Sequence, residues 1–449
     1  MILTQEEVRT IFDTAFEAAT ADEVDLSMAW YHEVNREVVC GSTKVIRFSN
    51  SYIRDDTVVQ PCHPLQVHVG FGNREGAAIT NQLDPAGIRD AVARAEAIAR
   101  AAAPNESHRP LHGPQEYPEI PGFDEATVAL TDDERHEAVA GVIERLQADG
   151  LNGSGYFHVD DTLEAHANSA GAWFYRRATK TGYAVTVRSD DTTGRESSRI
   201  GSGWAAAGDL RRFADLDIPG ITDVAIAKAL GSVDPQPFEM GPHTVVLEPN
   251  AAASFIRLLM GVWSGSARTV GAWGAPSEAG TQVASEHLTL STQPGHPQIM
   301  GSPYGPGGMP LGERVWVENG VLRNLPGGEN GPAVHLVGDG GAKSLEDVIA
   351  GVDRGILMTQ NWNTMLRTID PPHVNGMTRN GLFRIEDGQL AGPLQNAWYS
   401  LRLDEFARNI EDVSRPCKTG SFGSSGLNGN LMPALRVANF NFYRPSEAV

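Results

Sequence analysis

Cysteine is scarce: the 449 residues hold three, Cys40, Cys62 and Cys417. Their number is odd, their spacing wide, and no Cys-x-x-Cys occurs. This argues against a disulfide framework and a Cys-rich zinc site, and it fits a reducing cytoplasm. Positive charge is also short. The chain has 36 Lys and Arg against 56 Asp and Glu, a formal charge of −20. A phosphate backbone needs a basic face, so no nucleic-acid partner is expected. Long apolar runs are missing; none approaches the roughly eighteen residues of a membrane span, so no membrane partner is expected. The start, MILTQEEVRTIFDTAFEAA, lacks the basic opening and apolar core of a signal peptide. It reads instead as an amphipathic helix opened by a Thr4/Glu7 capping box.

Several catalytic signatures are absent too. There is no G-x-S-x-G nucleophile elbow, no G-x-G-x-x-G and no P-loop. His32-Glu33 and His136-Glu137 begin like a zinc helix, but no second histidine follows one turn on, so neither can hold an ion that way. The segment after His136 reads as the solvated start of an amphipathic helix. His63 and His68 flank a strand-like stretch and suit a strand better than a metal. His158, Asp160, Asp161 and His166 read as a turn with acceptor side chains. Cys417 is a lone thiol. As a nucleophile it would need a base, and the nearest in sequence are His335 and His373.

What is present is an ordered mixture of strands and helices. Residues 43–82 are β-rich. Asp84-Pro85 then opens a helix whose apolar face is Ile88, Val92, Ala95, Ile98 and Ala102. A Pro-rich connection leads to a helix capped by Thr131 and Glu134. Strands LEAHANSAG, WFYRRAT and GYAVTVRSD and a helix over 222–233 complete a first domain, 1–233. A second domain, 234–449, begins with an apolar strand, Val245-Val246-Leu247. It runs through Pro249-Asn250 into an Ala/Leu-rich helix ending near Trp263. A Gly/Pro/Ser-rich loop fills 264–311. Asn319-Gly320 and Asp387-Gly388 mark hairpins. Between them a helix runs from the cap Ser344 to a stop at Gly355. LDEFARNIEDV reads as a helix with Leu403, Phe406, Ile410 and Val413 inward, and ALRVANFNFY as a terminal strand. The expected class is α+β: two mixed α/β domains with largely antiparallel sheets.

The order of these segments resembles the TldD/PmbA (TldE) family, once called modulators of DNA gyrase. TKVIRFSNSYI, GNREGAAITNQLDPAGIRDAVARAEAIARAAAPN and EAHANSAG carry the likeness in the N-terminal half. GTQVASEHLTL, ERVWVENGVLRN, SLEDVIAGVDRGIL and GLFRIEDGQLAGPL carry it in the C-terminal half. The family pairs two related subunits. TldD-type subunits carry H-E-x-x-x-H where the strand enters the helix, and a cysteine in a C-terminal Gly-rich loop. These hold zinc for peptide hydrolysis.

Laid on this chain, the histidine positions fall at Pro249 and Ser254 and the glutamate position at Asn250. Cys417 lies near the cysteine ligand. None of the first three can supply an imidazole or a carboxylate base. The resemblance thus implies a TldE-like subunit without catalytic or metal-binding residues of its own. It also implies a TldD-type, H-E-x-x-x-H-bearing partner in a heterodimer, zinc in that partner, and a peptide or peptide-like substrate. Loops 264–311 and 417–433 would face the substrate. The alternative is a homodimer that binds a peptide or small molecule without hydrolysing it.

Overall fold

The computed structural model describes residues 2–28, 31–33, 36–38, 41–55, 58–62, 64–189, 200–263, 278–305, 308–326, 336–369, 371–420 and 430–447. The class is the expected one, mixed α and β with mostly antiparallel sheets. In the N-terminal half, nine strands form one sheet along the path Ser202–Leu210, Trp173–Arg188, Asn152–Asn168, Glu23–Met28, Leu65–Phe71, Arg74–Thr80, with Gly41–Ser49 also on Asn152–Asn168. Successive side chains of a strand point to opposite faces. On Asn152–Asn168 the odd positions Phe157, Val159, Leu163 and Ala165 are buried under helices. Gln5–Ala18 and Pro85–Ala101 cover one end, with Phe12, Ile88 and Ala95 fully inside. Asp132–Ala148 and Ile218–Gly231 cover the other through Val139, Leu146 and Ala225.

The even positions of the same strand are Tyr156, His158, Asp160, Glu164 and His166. These face the C-terminal half: the Ser302 hydroxyl approaches Glu164 at 3.3 Å. The expected turn at His158–His166 is therefore corrected; all four residues lie inside a 17-residue strand. Polar residues on alternate positions imitate a loop when their partners lie far off in sequence.

In the C-terminal half, Gly241–Leu247 pairs in parallel with Arg354–Ile369 and antiparallel with Leu435–Pro445. Pro372–Glu386 and Ala397–Arg402 complete the circuit, so the strands close on themselves. Helix Pro249–Trp263 packs against this curved sheet. Phe255 stacks on Phe406 with centroids 4.5 Å apart and touches Tyr399 and Phe440. A second sheet of six short strands runs from Val321–Leu322 to Cys417–Lys418.

Both hairpin turns are as expected. Asn319 and Gly320 have φ of 48° and 75°, and Asp387 and Gly388 repeat those values, as a two-residue turn of this hand requires. The capping boxes at Thr4, Thr131 and Ser344 are formed. Other details differ. The Ser344 helix stops at Ala350, and Gly355 lies in the following strand. LDEFARNIEDV splits into helix Leu403–Arg408 and strand Ile410–Val413. Leu403, Phe406, Ile410 and Val413 are all buried, so their spacing signals burial rather than one helix. Ile98 is half exposed, while Ala91 and Ala99 complete the inward stripe. WFYRRAT and GYAVTVRSD belong to one strand, Trp173–Arg188. The last helix of this half begins at Ile218, four residues earlier than expected, behind the cap Asp217. The loop 264–311 contains strand Thr289–Thr292, while 264–277 and 421–429 lie outside the described residues. Among the described residues, no helix is long and apolar enough to cross a membrane.

Candidate functional site

The strand-to-helix junction is built as its sequence suggests. Val245, Val246 and Leu247 are fully buried between neighbouring strands. Glu248 ends the strand: its N–H donates to the Met358 carbonyl at 3.0 Å, and its own carbonyl accepts from Ala252 at 2.9 Å, starting the helix. Pro249 occupies the first helical position, where no N–H is needed and φ is already suitable. Ala251 and Ala252 are fully buried, so the small side chains let the helix lie close to the sheet.

The polar groups of this first turn are engaged inside the protein. The Asn250 Oδ1 accepts from the Gly420 N–H at 2.9 Å. The Ser254 hydroxyl donates to Asn361 Oδ1 at 3.0 Å, and Asn361 Nδ2 donates to the Ala251 carbonyl at 3.1 Å. The Glu248 carboxylate meets Lys228 at 2.6 Å, and both side chains are mostly buried.

The segment Cys417–Gly420 closes over this junction from the six-stranded sheet. A Cβ at Gly420 would lie 2.5 Å from the Ala206 Cβ, so the backbone rests directly on strand Ser202–Leu210. Lys418 Nζ donates to the carbonyls of Asp209 at 3.1 Å and Gln298 at 2.6 Å. Burial pulls the Lys418 amine down to about 8. The Cys417 thiol is pushed up, chiefly by burial, with Arg415 opposing, so it stays protonated at neutral pH. His373 lies on a different sheet from Cys417, beside a cavity of about 190 Å³ shared with Arg402 and Asn441. His335 lies outside the described residues.

Zinc sites use imidazole, thiolate and carboxylate donors. The junction instead offers a proline, an amide oxygen already bonded to Gly420 and a hydroxyl already bonded to Asn361. This donor set does not fit zinc. Among the described residues, no three His, Cys, Asp or Glu side chains converge as metal ligands. The histidines considered from sequence are dispersed. His136 Nδ1 approaches its own helix at the Asp132 carbonyl, 2.7 Å away. His158 pairs with Asp160 at 3.2 Å, and His166 with Asp25 at 2.6 Å. His63 and Cys40 lie outside the described residues, as do the side chains of His32, Glu33 and Cys62. No local pattern marks Asn361, Gly420 or Lys228, whose partners lie 107, 170 and 20 residues away.

Residues 240–326 and 331–444 match the family described as PmbA/TldA metallopeptidase C-terminal domain. The C-terminal half of the chain is thus similar to the PmbA/TldD family. Among curated relatives, a metalloprotease of Methanothermobacter thermautotrophicus is 22% identical over 330 residues, spanning 67% of this chain and 70% of that one. Among solved structures, TldE from Thermococcus kodakarensis superposes with a TM-score of 0.79 at 19% identity, over 97% of this chain and 99% of that one. At that identity the likeness carries the fold. The PmbA/TldD fold is thus present over almost the full length, and the junction 247–254 lies within the matched C-terminal region.

Proposed function

We propose that this chain is the TldE-type, non-metal-binding subunit of a heterodimeric zinc metallopeptidase working in the cytoplasm. An H-E-x-x-x-H-bearing paralogue supplies the zinc and the water-activating glutamate. This chain packs beside it and shapes the chamber in which a peptide or peptide-like amide is held for cleavage. One observation carries the reading: Asn250 and Ser254 are committed to Gly420 and Asn361, so the helix start is finished as packing and leaves no donor for a metal. The names of the archaeal relatives, a metalloprotease and a TldE, agree with it.

The test is metal analysis and peptidase assay on the purified chain, alone and after mixing with an H-E-x-x-x-H-bearing paralogue from the same genome. The expected result is no stoichiometric zinc and no activity alone, with chelator-sensitive hydrolysis in the complex. Zinc at one per chain in the isolated protein, or chelator-sensitive hydrolysis without the partner, overturns the reading. A stable homodimer that ignores the paralogue and binds peptide intact would replace it with the binding-protein alternative.

A further inference from the structure

Residues 103–123 have no regular secondary structure and lie as a strap across the polar face of Asn152–Asn168 and Trp173–Arg188. Five contacts hold the strap down. Asn168 Nδ2 donates to the His112 carbonyl at 2.9 Å, and the His112 ring lies 5.8 Å from His166. Tyr117 packs on Phe174 and donates to the Gly308 carbonyl at 2.7 Å. The Thr179 N–H donates to the Gly122 carbonyl at 2.8 Å.

Beneath the strap, two charged or chargeable side chains are left with unmade hydrogen bonds. Arg176 is 9% exposed; its Nη1 reaches Glu164 at 3.3 Å, but Nε and Nη2 have no partner. His166 is 2% exposed; its Nε2 meets Asp25 at 2.6 Å, but Nδ1 has no partner. The register sets Arg176 opposite Glu164 and Phe174 opposite His166, so the two lie side by side on one face. Each unpaired edge is pressed by a glycine. A Cβ at Gly122 would lie 2.6 Å from Arg176 Nε, and one at Gly308 would lie 2.2 Å from His166 Nδ1.

Leaving such groups unpaired is costly, and more so when they are charged. The Nε/Nη2 edge is the side of a guanidinium that takes a carboxylate through two parallel bonds. We propose that residues 103–123, together with Gly308 tied to them through Tyr117, cover a carboxylate-binding subsite made by Arg176 and His166. The carboxylate is a peptide C-terminus or an Asp or Glu side chain. To donate to the carboxylate while its Nε2–H stays on Asp25, the His166 ring must carry a proton at Nδ1. The charged and titratable groups around that ring are Asp25 on its neighbouring strand, Glu164 on its own, Arg176 across the pair, and His112 and Tyr117 on the strap. The subsite needs no zinc-bearing partner, because every group belongs to this chain.

The experiment is titration calorimetry on the isolated full chain with two matched pairs of acetylated peptides. One pair is Gly-Ala-Gly-Ala as free acid and as amide; the other is Gly-Glu-Gly amide and Gly-Gln-Gly amide. The expected result is that one or both acidic forms bind at least tenfold more tightly than their neutral mates, which also identifies the source of the carboxylate. The Thr179 amide should exchange faster with the acid bound, because its Gly122 acceptor has lifted. Arg176→Met should lose the discrimination, and Arg176→Lys should restore part of it. Equal binding of acid and neutral forms, absence of binding, or unchanged Thr179 exchange overturns the proposal. Acid-against-neutral binding and exchange are read on the unaltered protein, so they decide the matter even if Arg176→Met fails to fold.

Discussion

At the scale of single residues, charge placement explains contacts that composition hides. His108 fastens the start of the strap: its Nδ1 lies 2.6 Å from Glu75 and its Nε2 3.3 Å from Glu23. The Glu75 bond is the main cause that raises the His108 pKa, and the His108 bond is the main cause that lowers that of Glu75. A histidine raised in the folded state contributes stability that is full below its unfolded pKa and is lost as pH rises through the folded one. The lowered carboxylate contributes above its unfolded pKa and loses that contribution as pH falls through the folded one. His108→Gln should therefore cost most in the mildly acidic range between the two and nothing at high pH. Urea denaturation of both proteins across pH measures this, and a constant difference would refute it.

At the scale of elements, helix Pro249–Trp263 decides the character of the site. Its inner face is fully apolar, and Phe255 sits among Tyr399, Phe406 and Phe440. Phe255→Ala should cost about 3–5 kcal/mol, because rigid aromatic neighbours cannot close the cavity. Ser254→Ala, one residue away, removes the bond to Asn361 and should cost about 1 kcal/mol. Chemical denaturation of the two variants tests the ratio. The same helix tests the reading of the junction. Replacing Pro249→His, Asn250→Glu and Ser254→His together puts two imidazoles five residues apart on the same helix, about 1.4 turns, near the Cys417 segment. The triple variant should bind zinc at one per chain, measured by metal analysis after dialysis, where the unaltered protein retains none. Failure of the triple variant to bind would mean that the turn has lost the metal geometry as well as the ligands.

At the scale of the whole molecule, buried polar contacts link the two halves beside the packing of Phe174 on Tyr304. Lys228, on a helix of the first half, meets Glu248, at the junction of the second, with side-chain exposures of 16% and 12%. The Ser202 hydroxyl donates to Asn380 at 2.7 Å, and Lys418 reaches Asp209. Removing one partner of a buried pair leaves a charge that nothing offsets. Lys228→Met should therefore destabilise by roughly 3 kcal/mol, and adding Glu248→Gln should recover part of that loss. Thermal unfolding of the single and double variants provides the comparison. Equal losses in both would show that the pair is solvated in solution.

Elements whose signals are local are legible from the residues alone. Thr4, Thr131 and Ser344 satisfy their helix starts within three residues, and Asn319-Gly320 and Asp387-Gly388 set turns that only those φ values allow. The sequence also determined which residue types stand at the strand-to-helix turn. Only the tertiary structure decided what those residues do, because Asn250 finds its partner 170 residues away and Ser254 finds its own 107 away. It alone placed His158, Asp160, Asp161 and His166, an apparent turn, inside one long strand. Alternation of polar and apolar residues fixes which face a side chain takes; what covers that face depends on contacts that no local pattern encodes.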